Sequence, residues 1–188
     1  MKKERFVAYN DAVLAIIVTI MVLSLPQPKA ANWASIWALR THFAAYAISF
    51  LQVTILWITH HNFFNLVKKI DRVVLGLNAL MLFTVSLLPY ATEFVGNHVW
   101  SLTAQLFYGV VFVTFSLILT LLLVEINRRN LIEAQHKTVI LDKRKLFLDY
   151  AIKVLGFVGA IFFPPAILIS ALLDSLIWII PDRRTEVA

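Results

Sequence analysis

The chain has 188 residues, is 60% hydrophobic and 15% charged, carries a formal charge of +6 and contains no cysteine. A mean hydropathy of +0.80 lies outside the range of a water-soluble domain, and without cysteine there are neither disulfides nor thiol metal ligands. In so apolar a protein the placement of the basic residues says more than their sum.

Apolar stretches near 20 residues long recur, and each can cross a hydrocarbon core about 30 Å thick. They predict spans at 6–25, 41–66, 72–92, 100–125, 146–162 and 165–181. The first lies in RFVAYNDAVLAIIVTIMVLSLP, residues 5–26. It is too long for the apolar region of a signal peptide, holds Asp11 and has no small-residue cleavage site. PQPKAANW interrupts the chain after it, since proline does not continue a helix. KKIDR separates the second and third spans, and EFVGNH the third and fourth. NRRNLIEAQHKTVILDKRK, expected to be partly helical, separates the fourth and fifth. FFPP makes a tight corner before the sixth. The prolines are expected at span ends.

Charge orients the spans. Lys2, Lys3 and Arg5 precede the first, and Lys68, Lys69 and Arg72 flank the second-to-third connection. Arg128, Arg129, Lys137, Lys143, Arg144 and Lys145 follow the fourth, and Arg183 and Arg184 follow the sixth. Those are 14 of the 17 basic residues, all on one side; Lys29, Arg40 and Lys153 are the rest. The positive-inside rule makes that side cytosolic. The reading is an all-α polytopic membrane protein with six transmembrane helices, both termini cytosolic, and residues 1–188 forming a single domain. Juxtamembrane basic runs of this kind orient spans and touch anionic lipid, so no nucleic-acid partner is expected.

This topology gathers Asp11, His60, His61, Asn78, Asp149, Lys153 and Asp174 into the cytosolic third of the membrane. Ionisable groups there are costly unless paired or wetted. They form either a structural network that locks helices together or a proton relay. Asp149 and Lys153 are spaced i, i+4 and can pair. His60 and His61 are adjacent, about 100° apart on a helix, and do not converge on one metal. There is no HExxH, nucleophile motif, phosphate loop or dinucleotide fingerprint, so neither an enzyme nor a cofactor is expected. In the first span Ile16, Thr19, Ile20 and Leu23 fall at i, i+3, i+4 and i+7, one helical stripe. Spacing alone leaves it open between plain packing and a functional face, with Thr19 able to bond back to its own helix.

The same residues resemble the first-helix signature of the transmembrane protein 175 potassium channel family: an arginine, an aromatic-polar-Asp triplet, Ala-Ile, a threonine and a leucine. Here these are Arg5, Tyr9-Asn10-Asp11, Ala15-Ile16, Thr19 and Leu23. LWITHHNFF resembles the second-helix Trp-x-x-His, giving Trp57 and His60. LGLNALMLFTVSLLPY resembles the third helix, with Asn78, Pro89 and Tyr90. The likeness covers the first 90 residues; the later spans match in number and order only. Tyr9-Asn10 stands where the family has Phe-Ser.

The resemblance implies a homotetrameric potassium channel in the cell's inner (plasma) membrane, with four first helices around a central pore. It places the constriction at Ile16, Ile20 and Leu23, and selectivity at Ile16 and Thr19. Arg5, Asn10, Asp11, Trp57, His60 and Asn78 would form a polar network behind the pore. Potassium would be the permeant ion, with no other metal. The competing readings are a proton-coupled secondary transporter using Asp11, His60, Asp149, Lys153 and Asp174, and a membrane protein without transport.

Overall fold

The computed structural model describes residues 3–129, 131 and 143–179, which form helices and no β-strand. In chain order they are α1 (Lys3–Leu23), α2 (Trp33–Ala38), α3 (Arg40–Leu66), α4 (Arg72–Ser86), α5 (Leu88–Asn97), α6 (Leu102–Arg128), α7 (Lys143–Ala160) and α8 (Ala166–Ile179). Several begin at side-chain caps, which satisfy backbone N–H groups that have no partner inside the helix. Asn32 accepts from the Ser35 N–H, Asp71 from Val74 and Ser101 from Ala104.

Four segments are long and apolar enough to cross a membrane: Lys3–Leu23, Arg40–Leu66, Arg72–Asn97 and Leu102–Arg128. α8 is apolar but has 14 residues. α7 carries Lys143, Arg144, Lys145, Asp149 and Lys153. The architecture is that of an all-α polytopic membrane protein.

Two expectations are corrected. EFVGNH is not a connection: Glu93–Asn97 continues α5 as helix, and the third segment runs to Asn97 with a break at Leu87. Pro89 therefore lies inside a span rather than at its end. It sits in the first turn of α5, where its missing N–H leaves no hydrogen bond unmade. PQPKAANW does break the first span from the second, and its last residue, Trp33, opens the short α2. The expected helix within 127–145, and the basic residues Lys2, Lys137, Arg183 and Arg184, lie mainly or wholly outside the described residues.

α1 shows two faces. Phe6, Asn10, Leu14, Ile17 and Met21 are buried against α3, α4 and α5, a stripe spaced four, four, three and four residues apart. α3 also packs on α5 and α8, and α6 on α4, α5, α7 and α8. α7 and α8 approach closely. A Cβ on Gly156 would fall 2.5 Å from the Cβ of Ser170, so only glycine permits this crossing.

Candidate functional site

The face of α1 opposite its buried stripe has no partner among the described residues. Ile16 is 58% exposed, Ile20 45% and Leu23 81%. Thr19 is exposed between them, and its hydroxyl donates to the Ile16 carbonyl at 2.7 Å. That bond uses the hydroxyl's only proton and leaves oxygen lone pairs to accept or to coordinate. An aliphatic ring built from such a face can hold a narrow path dry, and a neighbouring hydroxyl oxygen can contact a partly dehydrated cation.

Behind the first two turns of α1 lies a buried polar chain across three helices. His60 Nε2 lies 2.9 Å from Asn78 Oδ1. Asn78 Nδ2 donates to Asn10 Oδ1 at 2.8 Å, and Asn10 Nδ2 donates to the Phe6 carbonyl at 2.8 Å. Because Asn78 Oδ1 must accept, His60 Nε2 carries the proton. His60, Asn78 and Asn10 are all essentially inaccessible. The His60 ring also packs on Phe64 and Phe6, with centroids 4.3 and 6.0 Å away. At the edge of this layer Trp57 Nε1 donates to Asp11 Oδ1 at 2.9 Å, and the indole lies against His61. Five of the six residues expected in the network thus make polar contacts, three in one chain and two in a separate pair beside it. The sixth, Arg5, is exposed and makes no hydrogen bond among the described residues.

The remaining ionisable groups form a second cluster. Lys153 makes ion pairs with Asp149 and Asp174 and donates to Ser116 Oγ at 2.9 Å. Trp178 Nε1 donates to Asp149 Oδ1 at 2.9 Å, and Tyr150 donates to Thr120. The i, i+4 pair is therefore present, but Asp174 extends it to a triad. No hydrogen bond or ion pair among the described residues joins this triad to the Asp11–His60 layer. Sequence reasoning also passed over a buried relay in α3, α5 and α6. There Thr92 lies 2.7 Å from Ser49, Ser49 lies 3.0 Å from Tyr108, and Tyr108 donates to Gln52 Oε1 at 3.1 Å. No set of three or more metal-ligating side chains occurs among the described residues.

Four membrane-length apolar helices, the first with an exposed aliphatic stripe on one side and buried polar contacts on the other, mark a polytopic membrane protein. Residues 5–89 match the family described as endosomal/lysosomal potassium channel TMEM175. A potassium channel of Chryseobacterium sp. is 37% identical over 99% of this chain and 97% of its own length. An endosomal/lysosomal proton channel TMEM175 of Rattus norvegicus is 37% identical over 46% of this chain, a stretch that covers only 18% of the rat protein. The crystal structure of a lysosomal potassium-selective channel TMEM175 homologue from Chamaesiphon minutus superposes with a TM-score of 0.82. It covers 94% of this chain and 96% of that one at 18% identity, a likeness of fold. The chain belongs to the TMEM175 family.

Proposed function

We propose that the chain is one subunit of a potassium-selective cation channel. It has six spans with both termini cytosolic, residues 1–188 form one channel domain, and it resides in the plasma membrane. Four copies surround an axis lined by α1. Ile16, Ile20 and Leu23 form the constriction, and Thr19 adds hydroxyl oxygens beside Ile16, where selectivity arises. Asn10, Asp11, Trp57, His60 and Asn78 hold α1 in place behind the pore. The permeant ion is potassium, and neither cofactor nor enzymatic step is involved.

The observation that carries this reading is the stripe of α1 left exposed by the described residues, opposite a buried stripe on the same helix. The potassium channel from Chryseobacterium sp., matched over nearly its whole length, supports the choice of ion. Conduction follows from wetting. A ring of aliphatic side chains excludes water when narrow and passes ions when it widens. An ion crossing it sheds part of its shell, and potassium does so at lower cost than sodium.

The test is potassium efflux from proteoliposomes holding purified protein. Efflux above that of empty vesicles is expected, with sodium passing less readily. Efflux equal to empty vesicles, at every potential and pH applied, defeats the proposal. The transporter reading has less support, because its polar residues fall into two clusters that no hydrogen bond among the described residues joins. Flux that stalls without a co-substrate gradient would restore it.

A further inference from the structure

Three of the chain's five tryptophans stand at the end of the bundle where α1 finishes, and they are the most exposed of the five. Trp33 is 84% exposed, Trp37 71% and Trp100 67%. Trp33 and Trp37 are spaced i, i+4 on α2, with the exposed Ile36 on the same face. α2 buries none of its residues. Trp100, in the α5–α6 connection, meets Phe163 at the α7–α8 corner edge-on, with ring centroids 5.4 Å apart. The His42 ring, in the first turn of α3, lies 3.0 Å from the Asn97 side chain at the end of α5. The α2 connection and the Trp100 connection therefore share one end of the molecule.

An exposed apolar patch marks a surface that something other than water covers. Indole has an apolar body and a single N–H donor, which suits the boundary between headgroups and acyl chains. Charge points the same way. Lys29 before α2 and Arg40 after it are exposed, and neither makes an ion pair among the described residues. Arg40 donates to the Trp37 carbonyl at 3.4 Å, which holds its guanidinium at the end of α2. No acidic residue occurs between Asp11 and Asp71. Two cations beside an aromatic apolar face complement a layer of phosphates lying over acyl chains. The same segment of a second copy would bring two more cations and no acid.

We propose that α2 is an interfacial anchor. It lies in the headgroup layer at this end of the molecule, with Trp33, Ile36 and Trp37 turned into the acyl boundary and Lys29 and Arg40 at the phosphates. Trp100 continues the belt, and the anchor sets the depth of the connection between α1 and α3. The partner is phospholipid, so neither conduction nor assembly is needed for the inference to hold.

The test is fluorescence quenching of full-length protein in nanodiscs, whose two faces are both open to solutes. The discs hold phosphatidylcholine brominated near the carbonyl end or near the methyl end of its acyl chains. Subtracting the spectrum of a Trp33→Phe, Trp37→Phe double variant isolates the emission of α2. That emission is expected to lose most intensity to bromine near the carbonyl end and to resist aqueous iodide. If the double variant does not fold, Ile36→Cys, the only thiol in its chain, carries a bimane label that reads the same face. Quenching by iodide and by neither lipid overturns the proposal by placing α2 in water. Strongest quenching from the methyl end overturns it by placing α2 deep in the acyl chains. Resistance to iodide and to both lipids overturns it in favour of another copy of the chain covering the face.

Discussion

Thr19 differs from every other exposed residue on the α1 stripe in having an oxygen, and its environment limits what that oxygen can do. Its proton is held by Ile16 O at 2.7 Å, so the hydroxyl meets an ion as an acceptor. Thr19→Val keeps the branched shape and removes only the oxygen. Potassium-over-sodium selectivity is expected to fall while assembly persists, read as a shift in reversal potential under bi-ionic conditions. An unchanged ratio with unchanged conductance would remove Thr19 from the ion path and confine its role to its own helix. His60 poses the opposite case, since it faces no ion. His60→Ala strands Asn78 Oδ1 in the interior, at about 1–3 kcal/mol for a buried unsatisfied group, and leaves a gap beside Phe6 and Phe64. A lower melting temperature of purified protein is expected, partly recovered by His60→Gln, which restores a donor. Asp11→Ala should cost less, because Trp57 is 42% exposed and its freed indole can find another partner. If the two variants melt alike, the burial difference does not govern the network. That His60, Asn78, Asn10 and Asp11 share one layer was legible from their depths and from the helical signature. The Thr92–Ser49–Tyr108–Gln52 relay was not. Its members are spread over three helices, and periodicity within one helix says nothing about which faces meet across helices.

The ends of the helices are tied together by groups outside the spans, where water and charge decide their strength. Asp71 caps α4 through the Val74 N–H at 2.9 Å and meets Arg129, at the end of α6, at 2.9 Å. The Lys68 N–H donates to the Leu131 carbonyl beside it at 2.9 Å. The Val74 N–H foremost, with the Arg129 guanidinium, holds the Asp71 carboxyl below its ordinary value of 3.8. A depressed folded pKa means that the stabilisation is complete above the unfolded pKa and disappears as pH falls through the folded one. Asp71→Ala is therefore expected to lower stability at neutral pH by about 0.5–1 kcal/mol, the low end for a lost N-cap because the site is solvent-accessible. The difference should shrink only in strong acid, below the ordinary carboxylate range. Thermal unfolding of both proteins across pH checks this, and a difference constant down to the lowest pH would assign the effect to something other than the carboxylate. At this scale most elements were readable from the sequence, because apolar length alone marks a membrane helix. The connection between the third and fourth spans was placed too early, at the end of α5, for a specific reason. Gly96 and Asn97 are turn-prone residues by composition, yet the Asn97 side chain donates to the Glu93 carbonyl and lies 3.0 Å from the His42 ring, and both residues remain helical.

At the scale of the molecule, one chain presents two kinds of apolar surface that look alike. Phe162 on the α7–α8 corner is 87% exposed and Leu23 on α1 is 81% exposed, yet the proposed assembly gives them different neighbours, lipid for Phe162 and other copies of the chain for Leu23. No pattern in a single sequence separates the two, since lipid and a protein partner reward the same apolar side chains. The chain's lack of cysteine makes a direct distinction possible. With Leu23→Cys as its only thiol, the protein in native-like nanodiscs should be joined by a short bis-maleimide into covalent pairs. Larger covalent species cannot form with one thiol per chain. Phe162→Cys, equally accessible to the reagent, should be labelled without being joined to a second copy. Four copies around α1 predict that contrast, because only residues near the axis come within reach of their own equivalents. Pairing through Phe162→Cys alone would place the interface on α7 and α8 and leave the stripe of Ile16, Thr19, Ile20 and Leu23 facing lipid. Pairing through neither, in protein whose mass in the disc is that of one chain, would mean that one bundle acts alone. The ion path would then have to be sought within it rather than between copies.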